Sequence, residues 1–269
     1  MTAQLNIDGS EYRFDPTPID ISIPLRFNGP QPNAYRVETA SSKPCVAGDL
    51  TGDTRQGGSC NFEQYTLIPH CNGTHTECVG HITNERISIT DCLRDTLVSA
   101  VLITVDPTRG SDTAETYSMA IEETDRVITR NLIESAVSPR TKSWALVIRT
   151  LANDQRKLTR RYDEPVPAYF TTEAMAYIVE LGFRHLLVDL PSIDRMYDEG
   201  GLSNHRVFWN VEQGSFATTA ETRRDHTITE LIYVPNNVDD GPYLLNLQIA
   251  PFHADASPSR PLLFCLTEN

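Results

Sequence analysis

Between residues 144 and 194 the chain runs through "WALVIRT", "TTEAMAYIVELGF" and "HLLVDLPSID", and this order leaves few folds open. The first stretch is β-branched and apolar, as a strand requires. The second opens on a threonine suited to capping, carries apolar residues at helical spacing and stops at a glycine. The third is a short buried strand that ends in a turn. Strand, helix and returning strand resemble a βαβ unit. Elsewhere "IDISIPL" (residues 19–25), "ITELIYV" and "YLLNLQIAPF" alternate like strands, so the expected class is mixed α/β. No internal repeat is visible, and glycine and proline are scattered rather than gathered into a linker, so a single domain over residues 1–269 is expected.

A second feature bears on chemistry. "PHCNGTHTECVGH", residues 69–81, holds three histidines, two cysteines and a glutamate. It follows the strand-like "FEQYTLIPH", which places the donors at a strand terminus. Donors two residues apart on a strand point to one side, a condition that His75 and Glu77 meet. His81 lies four further on and reaches the same place once Gly80 lets the backbone bend. Asn72-Gly73 makes a turn through which His70 or Cys71 can fold back. Several neutral histidines with an acid suit a divalent metal. The rival is a thiol nucleophile, Cys71 or Cys78, activated by neighbouring histidine, although Cys78 is read more simply as a small buried hydrophobe.

Charge narrows the partners. A formal net charge of −13 and a pI near 4.9, with "RKLTRR" (residues 156–161) as the one basic run, argue against nucleic acid. The longest apolar runs are about half a bilayer span, and the N-terminus lacks the regions of a signal peptide, so a cytoplasmic protein without membrane contact is expected. Six cysteines without a CxxC pair point to reduced thiols.

The stretch "NGTHTECVGH" resembles the GTHxDxPxH signature of the cyclase family, metal-dependent amide hydrolases that include bacterial kynurenine formamidase and isatin hydrolase. "IDISIPL" before a Gly-Pro loop, "LVIRT", "YFTTEAMAYIVELGFRHLLVDLPSIDR" and "NHRVF" resemble further segments of that family, so the likeness runs from about Ile19 to Phe264. It implies a swivelling β/β/α-type single domain assembled as a homodimer or larger homo-oligomer, with an insertion around residues 206–226. It also implies one or two divalent ions, Zn or Mn, and hydrolysis of an amide, formamide or lactam C–N bond in a small substrate, aromatic ones included. Carried over by position, His75 and Glu77 fall on metal ligands, with Glu77 where the family usually has Asp. His81 falls on the histidine that acts near the substrate, His205 on a later metal histidine and Glu230 on the carboxylate after it, Glu212 being the fallback.

The departures from the pattern matter. The family's first histidine ligand falls on Cys71, and His70 is one place out of register. Either Cys71 ligates as thiolate, His70 swings in through a local bulge, or that position is lost. Glu77 reaches about one methylene further, roughly 1.5 Å, and Val79 replaces the usual proline. The alternatives are therefore a catalytically inactive or altered metal- or ligand-binding member of the family and a cysteine-nucleophile hydrolase. Phe62, Tyr65, Phe208 and Trp209 stand near the motifs as stacking partners for an aryl amide, or as core.

Overall fold

The computed structural model describes residues 3–7, 10–138, 143–163 and 165–267. Its main sheet has nine strands: β1 (Ile19–Asp20), β2 (His75–Glu77), β3 (Leu97–Val105), β4 (Ala145–Thr150), β5 (His185–Val188), β6 (Thr227–Glu230), β7 (Gly241–Asn246), β8 (Ala256–Pro258) and β9 (Leu262–Cys265). They lie side by side in the order β8, β2, β6, β5, β4, β3, β7, β9, β1. The neighbours from β6 to β3 run parallel, and both flanks are antiparallel. Every residue of β4 and β5 is buried, as parallel strands covered on both faces require.

Among the described residues five short α-helices accompany the sheet: α1 (Pro69–Asn72), α2 (Ile89–Cys92), α3 (Arg130–Ala136), α4 (Thr172–Glu180) and α5 (Ser203–Trp209). The class is mixed α/β, as the sequence implies. The β4-α4-β5 unit appears where the strand-helix-strand pattern puts it. The Thr171 hydroxyl caps α4 by accepting from the Ala174 amide at 3.1 Å, and Gly182 ends it with φ of 81°. Met175 and Ile178 of α4 pack in one core with Leu146, Ile148 and Leu187, each contributing about 1.5–3 kcal/mol on burial.

Two expectations need correction. Of "IDISIPL" only Ile19–Asp20 pairs as a strand, with a lone bridge at Ser22, because Pro24 has no N–H for a ladder. "FEQYTLIPH" does not carry its donors to a strand end. Its strand, Glu63–Thr66, pairs with Ser41–Pro44 outside the main sheet, and Pro69 then opens helix α1 from the position that suits proline. His70 and Cys71 consequently sit on a helical turn, while His75 and Glu77 sit on β2. All six cysteines are unpaired. Among the described residues no helix is long and apolar enough to cross a membrane.

Candidate metal centre

Strand β2 lies between β6 and β8, and register explains what gathers there. His75 and Glu77 are two residues apart, so both side chains leave the same face. Glu230 of β6 stands directly opposite His75, which puts it on that face as well. His70 comes from α1. His81 comes from the 3-10 turn Val79–Ile82, where Gly80 is needed because a Cβ would collide with the Ile87 carbonyl oxygen. His205 enters from α5.

Two overlapping donor sets result: His70, Glu77 and His81, and His75, Glu77 and Glu230. Within each, the ligand atoms lie within 4.8 Å of one another. His75 is completely buried and its Nδ1 donates to the Gly73 carbonyl oxygen at 3.0 Å. Its lone pair is thereby placed on Nε2, which has no hydrogen-bond partner and lies 3.5 Å from Glu230 Oε2. His70 Nε2 meets Asp255 Oδ2 at 2.9 Å, which leaves its unpartnered Nδ1 facing Glu77 Oε2 at 3.5 Å. Buried nitrogens without partners, aimed at carboxylates, are what a divalent cation would satisfy.

The electrostatics follow from this crowding. Burial opposes ionisation of Glu77, but His81 and His205 outweigh it and hold that carboxyl well below its usual range. Burial, then the Glu77 carboxylate, push Glu230 up to about 8. Burial, then His75, drop His70 to about 3, and burial lowers His75 as well, so both are neutral imidazoles fit to ligate. His205 is opposite in kind: burial works against its protonation, yet Glu77 and Asp194 raise its pKa.

Of the residues singled out from the sequence, His70, His75, Glu77, His81, His205 and Glu230 converge. His205 Nε2 is 2.9 Å from Glu77 Oε1 and 3.8 Å from Glu230 Oε1. Glu212 does not join them; it is exposed on the segment after α5. Cys71 joins neither donor set and packs beside Ile23, Ala34 and Leu231. Burial, then Glu230, push its thiol up to about 11, which suits neither a thiolate ligand nor a nucleophile. Cys78 is completely buried with its thiol on the Ile87 carbonyl oxygen. Phe208 and Trp209 are core, Trp209 lying against the His205 ring, and Phe62 and Tyr65 are exposed away from the donors.

Sequence reasoning missed Asp194 and Asp255. Asp194 accepts from His205 Nδ1 at 2.6 Å, and Asp255 stands 3.4 Å from His81 Nδ1 as well as against His70. Asp194 belongs to the quoted "PSID" turn, so an acid there was visible without its role; Asp255 comes from a C-terminal loop that carried no pattern. Tyr35 and Tyr197 were missed too. They border a cavity of about 660 Å³ into which His70, Glu77, His81, His205 and Glu230 open.

A family model described as Putative cyclase matches residues 19–195. The kynurenine formamidase of Bacillus cytotoxicus is 23% identical over 91% of this chain and 96% of its own. That of Bacillus cereus is 24% identical with the same coverage. Among solved structures, an isatin hydrolase bound to the product analogue thioisatinate superposes with a TM-score of 0.61 at 13% identity, over 93% of this chain and 92% of that one. A "predicted metal-dependent hydrolase" from Bacillus stearothermophilus superposes with a TM-score of 0.60 at 15% identity, over 92% and 98%. These structures share the fold of this chain. The matched segment takes in β2 and its donors, and with it the chain belongs to the cyclase family.

Proposed function

We propose that this protein is a metal-dependent hydrolase that cleaves the C–N bond of a small non-peptide amide, formamide or lactam. One observation carries the reading: the buried, unpartnered Nε2 of His75, fixed by Gly73 and aimed at Glu230 within a set of donors 4.8 Å across. His75, Glu77 and Glu230 would hold a divalent ion of the Zn or Mn class, with His70 and His205 at its border. When bound, such an ion supplies Lewis acidity that makes hydroxide available at neutral pH and polarises a carbonyl.

The remaining work falls to the chain's own groups. His81 is a quarter exposed at the cavity, so it meets both water and substrate. It takes a proton from the attacking water and returns it to the leaving nitrogen, as the carbonyl carbon gains the water oxygen and the C–N bond breaks. The products are a carboxylic acid and an amine, or both groups on one molecule when a lactam opens. Asp255 orients His81 through Nδ1, and Asp194 does the same for His205. The kynurenine formamidase relatives and the isatin hydrolase fold support amide and lactam substrates as the class.

The test is to measure bound metal in the purified protein, strip it with chelator, and follow hydrolysis of formanilide and of isatin. Activity should vanish on stripping and return with added Zn or Mn. Full activity after exhaustive chelation would overturn the proposal.

A further inference from the structure

The outer part of the cavity differs from its donor-rich floor. Tyr35 and Tyr197 stand at its mouth with ring centroids 5.9 Å apart and planes at 80°. Both are exposed, at 38% and 52%, so two aromatic faces meet solvent instead of filling the core. Beside Tyr197 the lining continues with Asp198 and Glu199. Asp198 is buried beneath the turn, its carboxylate accepting from the Leu202 amide at 2.7 Å, the Gly200 amide at 3.1 Å and the Tyr117 hydroxyl at 3.0 Å. Glu199 is exposed and has no cationic partner among the described residues.

The charge inventory is one-sided. Among the described residues that line the cavity there is no lysine or arginine. A divalent cation on the floor would balance Glu77 and Glu230, and Asp194 pairs with His205, which leaves Asp198 and Glu199 without a counter-ion in the lining. Tyr35, Tyr197, Glu199 and Leu202 all hold left-handed backbone, with φ of 58°, 62°, 59° and 46°. Non-glycine residues adopt that conformation only when their surroundings enforce it. The wall is therefore a built surface. Electron-rich ring faces set at right angles beside a free carboxylate attract a cation and repel an anion.

Resting on the amide-hydrolase reading above, we propose that the mouth recognises an ammonium group on the substrate, with Tyr35 and Tyr197 as aromatic walls and Glu199 as counter-charge. The substrate class is thus a small amide that bears a cationic amine remote from the scissile bond. Amides that bear an acidic group at the same end are rejected.

The test uses three formanilides that differ only at the para position: methyl, trimethylammonium and sulfonate, the last chosen as a poor metal ligand. The protein is assayed as purified. The ammonium compound should have a KM three- to tenfold below the methyl compound and the sulfonate a KM more than tenfold above it, both differences shrinking with added salt. In Glu199→Gln the ratio of kcat/KM for ammonium over methyl should fall at least threefold, and in Tyr197→Ala further. Equal KM for the ammonium and sulfonate compounds, or a ratio unmoved by Glu199→Gln, overturns the proposal. If none of the three is hydrolysed, the amide-hydrolase reading is left to its own test with formanilide and isatin, and this one is still decided, by calorimetric titration with phenyltrimethylammonium and benzenesulfonate. Selective binding of the cation supports it; equal binding, or none of either, overturns it.

Discussion

Asp194 holds His205 through an Oδ2 to Nδ1 contact of 2.6 Å, with both side chains buried. Four backbone or hydroxyl donors also converge on that carboxylate, among them the Asn204 amide at 2.8 Å and the Tyr117 hydroxyl at 2.8 Å. Asp194→Asn should therefore fold yet let the imidazole turn or change tautomer. Metal affinity should fall about 10- to 100-fold and turnover with it. Metal titration alongside the far-ultraviolet circular dichroism of the variant checks both halves of this.

His70 and Cys71 are adjacent in sequence and differ in role. His70→Ala deletes a nitrogen 3.5 Å from Glu77 and should reduce metal retention. Cys71→Ser changes an atom that joins neither donor set, so its metal content should match wild type. A Cys71→Ser protein that purifies without metal would reverse the assignment.

Metal should act as a staple between strands. His75 and Glu230 sit opposite each other across β2 and β6, so a cation held by both binds the native register and not the unfolded chain. At a hundredfold excess over Kd this is worth about 2.7 kcal/mol. A thermal scan with and without Zn or Mn should show a rise of several degrees that Glu230→Gln removes. Melting temperatures indifferent to metal would count against the site.

Acid sensitivity has a source away from the cavity. His185 is buried on β5 with Nδ1 on the Thr227 hydroxyl and Nε2 unpartnered. Burial, then Arg184, drop its pKa to about 3. The unfolded chain takes up a proton below about 6.5 and the folded one does not until about 3. Stability is thus present above pH 6.5 and is lost as pH falls towards 3, by about 1.4 kcal/mol per pH unit from this residue. Urea midpoints at pH 7, 5.5 and 4.5 should converge less steeply in His185→Gln than in wild type.

How far the sequence could be followed depended on distance along the chain. The β4-α4-β5 unit was legible because its cap, apolar period and glycine stop are local. His75 with Glu77 was legible because a strand repeats every two residues. Asp255 was not, since it meets His70 across 185 positions and only the placing of β8 beside β2 brings it there. The short helix α1 was also hidden: the β-rich letters before Pro69 suggested a continuing strand, and proline ended it. That turn is what carries His70 to the donors while Cys71 faces Ile23 and Leu231.

Four of the eight non-glycine residues with positive φ among the described residues border one cavity: Tyr35, Tyr197, Glu199 and Leu202. Each costs on the order of 1 kcal/mol or more relative to an ordinary backbone. Glycine at any of them would relieve that backbone strain. That this chain carries two tyrosines, a glutamate and a leucine there makes these four positions the place where laboratory evolution would trade selectivity for heat resistance first.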